Sequence, residues 1–314
     1  EGRDTEPFIR KVWQKEILVE KTIFPGIGRF LAWIQRGARW YGVEWYMTVI
    51  GGFIVASILF ISVISAFYPK LAPYDPEALV GKPFTSPNSK HLMGTDNLGR
   101  DVFSRVIYGA RVVMAIALIS SAFSALVGVP LGLLSGFIGG RLDRVLSLIM
   151  DSIYSFPGLI LAIAMAAMLG PGVINMSLAI AVVYIPTYFR MVRGQVLSVK
   201  EELYVEAARS LGARAATILR LYVFPNVIPS IVVVFSLNIA DAILTEAGLS
   251  FLGLGIDPSL PDWGYDLSKG KAFLPGGYWW IITFPGMMIA IVALGFSMLG
   301  EGLNEILNPR LRER

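Results

Sequence analysis

The chain has 314 residues, 55% of them hydrophobic and 16% charged, with a mean hydropathy of +0.63, whereas a soluble domain carries roughly a quarter charged residues. A net charge of +4 leaves no footprint for nucleic acid. The absence of cysteine excludes disulfides and thiolate metal sites, and the single His91 leaves little for metal or triad chemistry.

The apolar excess lies in long uncharged runs, which predicts an all-α polytopic membrane protein. Residues 1–45 are polar and basic, with no short apolar segment and small-residue cleavage site, so no removable signal peptide is expected. Within them, 30–41 has helical patterning, with Arg29, Arg36 and Arg39 on one face and Phe30, Ile34 and Tyr41 on another. That pattern fits a helix lying in the membrane interface or packed on the rest of the protein.

The first span is expected at 46–67. Pro69, Pro73, Pro76, Pro83 and Pro87 then rule out a continuous helix. In the stretch that follows, Asp96, Arg100, Asp101 and Arg105 are placed to form local ion pairs, a structural clamp more than a catalytic site. Further spans are expected at 112–138, 145–169, 173–189, 225–247 and 278–299, the last opening on an aromatic anchor of Tyr278, Trp279 and Trp280. Asp151 near the start of the third span is expected to pair with Arg144 or Arg141, or to cap polar groups. The organisation is therefore an N-terminal segment (1–45), a first helix with an external segment (46–111), a five-helix core (112–303) with a loop at 190–224, and a tail (304–314).

That loop holds the most specific stretch of the chain. Glu206, Ala207 and Ala208 open a short helix, Gly212 suits its end because glycine reaches left-handed angles cheaply, and a second helical run carries Arg214 and Arg220 before Pro225 closes the segment. The stretch resembles the cytoplasmic loop of importer-type ABC transporter permeases, matching at Glu206, Ala207, Ala208, Gly212 and Pro225. It departs at Tyr222 and Phe224, where that family usually carries Ile and Leu. The runs 91–111 and 244–255 and the ending 308–312 also resemble the peptide and nickel permease subfamily, in particular its C-type subunit, with Asn308 where Asp is common.

The resemblance implies a type I, MetI-like importer fold of six transmembrane helices in the plasma (inner) membrane of a prokaryote. It implies a homologous second permease, two ABC ATPase subunits and an extracytoplasmic solute-binding protein as partners, with alternating access as the mechanism. ATP and Mg²⁺ would belong to the ATPases, and no cofactor to this chain. Di- or oligopeptides are the expected cargo, with nickel chelates and oligosaccharides as alternatives within the subfamily.

Six spans put both termini on one side. If that side is cytoplasmic, the inner segments hold 19 of the 27 Lys and Arg and the outer segments 8, so both termini and the Glu206 loop are expected in the cytoplasm. The nearest approach to a phosphate-binding loop, 264–272, has the wrong glycine spacing and Ala272 in place of Ser or Thr. ATP hydrolysis is therefore expected on separate chains.

A secondary transporter would more often show two similar halves, and a membrane enzyme an acidic cluster on an inner loop; neither pattern is present. The candidate pathway residues are Asp241 and Glu246, toward the outer half of the fifth span, as a polar lining favouring cationic groups such as a peptide amino terminus. An ion pair with a neighbouring helix, or an exposed helix end, is the other reading. Five residues apart, the two are separated by about 140° on a helix and cannot both point squarely at one axis. No catalytic or metal-binding residue is expected.

Overall fold

In hydrocarbon, a backbone segment must satisfy its own N–H and C=O groups, which a helix does and a lone strand does not. The computed structural model describes residues 42–68, 71–257 and 259–307, and among them the regular structure is helical apart from one antiparallel bridge between Thr95 and Asp101. The expected helix at 30–41 and the ending 308–312 lie outside the described residues. Five continuous helical stretches are long and apolar enough to cross a membrane: α1 (Val43–Phe67), α2 (Val102–Ile138), α5 (Val173–Val199), the run Ala215–Phe251 and α10 (Trp280–Leu307). A sixth candidate crossing is a bent pair, α3 (Gly140–Tyr154) and α4 (Gly158–Leu169), apolar enough to span when taken together. Among the described residues two short α-helices flank the long run, α6 (Leu203–Ser210) before it and α9 (Trp263–Lys271) after it, and a 3-10 turn at Leu274–Gly276 follows α9.

Several expected boundaries shift, each for a local reason. The third span is not one helix over 145–169, because α3 and α4 meet at 88°. Pro157 has no N–H to donate and disfavours helical angles at Phe156, so the chain turns there. The second span starts at Val102 and not at 112, because the Asp101 side chain accepts from the Ser104 N–H and caps the helix. The fourth span continues past 189 to Val199, its extra turns carrying Arg190 and Arg193.

Pro225 does not close a segment. The helix α7 (Ala215–Ile218) passes through a π-helical turn, Leu219–Val223, into α8 (Phe224–Phe251). The wider turn makes room for the proline ring, and Asn226 Nδ2 donates to the Tyr222 carbonyl at 2.6 Å.

A close seam runs between α2 and α5. Gly128, Gly132 and Gly136 recur every fourth residue, and a Cβ on them would stand 2.7 Å from the Ile185 carbonyl oxygen, 2.7 Å from that of Phe189 and 2.8 Å from Val196 Cβ. Ser124 extends the stripe by donating to the Ala181 carbonyl at 2.9 Å. Small residues at helical spacing let two backbones approach and gain dispersion contacts where lipid supplies no hydrophobic drive. The main core, with Met114, Ile116, Ile180, Ile243 and Trp263, is assembled around this seam from α1, α2, α4, α5, α8, α9 and α10.

On the side opposite α6, residues 71–101 and α9 form a cap tied to the spans by buried polar contacts. Trp263 Nε1 donates to the Val106 carbonyl at 2.9 Å, and Trp280 Nε1 to that of Thr95 at 3.0 Å. The expected clamp is only partly local. Asp96 holds Arg100 at 2.6 Å, whereas Asp101 takes His91 Nδ1 at 3.0 Å. Arg105 reaches across the chain, with Nη2 2.7 Å from Asp266 Oδ1. Burial pushes the Asp266 carboxyl above its ordinary range, and the Arg105 guanidinium only partly pulls it back. Burying both charges carries a desolvation cost that their attraction must offset. Asp151 is also re-partnered, pairing with Arg190 at 2.7 Å in place of Arg144 or Arg141, while Arg193 forks onto Asp143.

Two outcomes test this architecture. Gly132→Leu forces a side chain into backbone and should remove most of the folded protein from the membrane fraction. Gly194→Ala, on α5 where a Cβ meets nothing within 4 Å, should leave its abundance unchanged. Arg105→Leu strands a buried carboxylate and should cost about 3–5 kcal/mol, read as a lowered unfolding temperature. The double variant Arg105→Leu/Asp266→Leu should recover part of that loss.

Candidate coupling loop and pathway cavity

The eight-residue α6 begins at Leu203, earlier than Glu206, with Glu202 extended before it. Val205 and Ala208 are buried against Val192, Val196, Ile218 and Val223. This places Glu206 and Ala207 outward in the exposed row, flanked by Leu203 and Leu211, which are 80% and 89% exposed. Positions 203, 206–207 and 210–211 recur at helical spacing, so they form one face. The face is thus polar in its middle with an exposed leucine at each end.

The spacing from Ala208 to Gly212 has a backbone cause. The Ala213 N–H donates to the Ala208 carbonyl and the Gly212 N–H to that of Arg209, both at 3.0 Å. Gly212 sits at φ +81° with nothing within 4 Å of a Cβ placed on it. These are the bonds of a Schellman turn, which needs a left-handed residue at the helix end and commonly pairs apolar groups across it; here Ala208 and Ala213 join one cluster. The constraint at Gly212 is thus conformational. Within this chain it is not steric.

Of the five residues matched in this stretch, Glu206 and Ala207 lie on the open face, while Ala208 and Gly212 shape the turn behind it. Pro225 stands apart and lines a cleft of about 520 Å³ with Gln195, Ser198, Glu202, Tyr204 and Asn304.

The two pathway candidates separate. Glu246 is fully buried, accepts from Ser250 Oγ at 3.1 Å and lies against Asp262, which itself caps α9 by accepting from the Tyr265 N–H at 2.7 Å. It sits where α8 meets α9 and is not among the residues that line the cavity beside Asp241. Asp241 is exposed and opens onto a cavity of about 500 Å³ at the α3–α4 corner, lined also by Tyr154, Phe156, Tyr184, Thr187, Asn238 and Thr245. The Tyr184 hydroxyl is 2.8 Å from that of Thr245, a bond between α5 and α8.

Sequence reading missed Tyr184, Thr187, Asn238 and Thr245. A signal was present: Asn238, Asp241 and Thr245 fall at i, i+3 and i+7, a polar stripe on one face of an apolar helix. The corner residues Tyr154 and Phe156 had no such signal, because only the bend brings them to the cavity.

The family described as "Binding-protein-dependent transport system inner membrane component" matches residues 128–313. The probable D,D-dipeptide transport system permease protein DdpC of Escherichia coli (strain K12) is 37% identical over 284 residues, 90% of this chain and 92% of its own. The glutathione transport system permease protein GsiD of Pectobacterium atrosepticum is 39% identical over 257 residues, 81% of this chain and 85% of its own. Among solved structures, an inward-facing form of the MetNI methionine ABC transporter superposes with a TM-score of 0.51 at 18% identity, over 65% of this chain and 96% of that one. This last likeness is one of fold.

Proposed function

We infer the function from a family premise: this chain belongs to the binding-protein-dependent transport system inner membrane components, and it is a multi-pass permease subunit of an ATP-driven ABC importer. It forms half of a translocation pathway, and its cargo is small peptides, a reading supported by relatives named for D,D-dipeptides, di/tripeptides and glutathione. The other half is a homologous permease. Two ABC ATPases bind and hydrolyse ATP with Mg²⁺, and an extracytoplasmic solute-binding protein delivers cargo to the cap.

The observation that carries the coupling role is the outward face of α6, with Glu206 and Ala207 between two exposed leucines, held across the end of α5 by the turn at Gly212. We assign that face to an ATPase groove. Glu206 lies in the first turn, where a carboxylate favours the positive helix end. Ala208 supports the site from behind. The excess of basic residues on the α6 side supports placing that side, and both termini, in the cytoplasm. Asp241 is assigned to the pathway lining. Glu246, packed on Asp262, holds the outer elements beside it.

Gly212→Val puts a β-branched residue at a left-handed position and should cost about 1 kcal/mol or more locally. It should sharply reduce peptide uptake by the reconstituted importer and weaken retention of the ATPases, leaving insertion of the chain intact; Glu206→Ala should do the same more mildly. Normal transport by Gly212→Val with ATPases fully bound would remove α6 from the coupling role. Orientation is checked separately with cysteines introduced into this cysteine-free chain. In intact cells an impermeant thiol reagent should label Ser89→Cys and leave Ser198→Cys unlabelled, both positions being exposed; the reverse pattern would invert the topology.

A further inference from the structure

We propose that the cavity at the α3–α4 corner is a binding station for a protonated amine, with Asp241 as its counter-charge. The proposal rests on the pathway reading above and gives it a ligand chemistry. The cavity, about 500 Å³, falls within the size range of small-molecule sites. Asp241 is its sole lining residue with a formal charge, and no Lys or Arg is among the residues that line it. Among the described residues, Asp241 makes no ion pair and no hydrogen bond, unlike Asp143 and Asp151, which are held by Arg193 and Arg190. A carboxylate left unpaired on a membrane-crossing helix is costly and persists where water or a cation reaches it.

The cation best matched to this lining is an organic ammonium. A divalent metal needs several anionic or imidazole ligands, and no group of three such side chains lies among the described residues. The surroundings of Asp241 are instead neutral hydroxyl and amide groups from Tyr184, Thr187, Thr245 and Asn238, which suit the amide of a peptide one residue away from its amine. The Tyr154 and Phe156 rings add faces that attract ammonium and cover an apolar side chain. A guanidinium near this wall is already committed. Arg190 stacks 3.9 Å from the Tyr154 ring centroid and pairs with Asp151. It therefore steadies the corner without neutralising Asp241.

The test uses the complete importer in proteoliposomes, free of other cysteines, with Thr187→Cys as a reporter in the cavity wall. Reaction rates with an ethylammonium and an ethylsulfonate methanethiosulfonate are compared during turnover, each normalised to a free thiol. The cationic reagent should react at least fivefold faster. That preference should fall close to unity in Asp241→Asn and survive in Asp241→Glu, which keeps the charge. Millimolar dialanine should slow the labelling, and N-acetyl-dialanine should not.

Equal rates for the two reagents, unchanged by Asp241→Asn, would overturn the amine station while leaving Thr187 on a water-filled path. Equal protection by the free and acetylated peptides would overturn it as well. A cysteine at 187 that neither reagent reaches in any nucleotide state would sink the pathway reading together with the station.

Discussion

The close approach of α2 and α5 along Ser124, Gly128, Gly132 and Gly136 is the contact on which the rest of the molecule depends. Lipid tails are as apolar as leucine, so burying apolar side chains between two spans gains little by itself. What holds the spans is backbone proximity and the dense packing it permits. With α5 set against α2, the far end of α5 presents Val192, Val196 and Val199 to the buried side of α6. Its middle presents Tyr184 and Thr187 to the cavity. One seam of small residues thereby positions both the outward loop and the wall of the path.

Polar contacts do a different job. The ion pairs Arg105–Asp266 and Asp96–Arg100 sit at the cap. The first joins α2 to α9 and the second braces the loop that leads into α2. They register the cap on the spans, at an energetic cost that the apolar core must offset. Trp263 and Trp280 combine both roles, burying large rings while their N–H groups grip backbone carbonyls.

Much of this was legible in the sequence. Long uncharged runs located six crossings, and Gly212 was readable as a left-handed turn because little else explains a glycine four residues after Ala208 in a helical context. The misreadings share a cause. Arg105 was read as part of a local clamp, and Arg190 and Arg193 as lying beyond a span, yet each lies inside a helix and meets a partner from another element. Pro157 and Pro225 look alike in sequence, but one bends the chain by 88° and the other is absorbed by a π turn and the Asn226 amide. Local chemistry permits both outcomes, and tertiary packing chooses. Glu246 and Asp241 were likewise indistinguishable until Asp262, 16 positions beyond Glu246, was seen to fold back on one of them.

The continuity of Ala215–Phe251 has a mechanical consequence. Its 37 residues make a rod about 55 Å long at 1.5 Å per residue. One end joins the turn after α6 and the other carries Glu246 and Ser250 against the cap. A helix is stiff along its axis, so a displacement of one end along that axis would be carried to the other. Twist is another matter. The π turn at Leu219–Val223 is the place where the hydrogen-bond ladder changes register. Such a rod would pass thrust more readily than rotation between the two sides of the membrane.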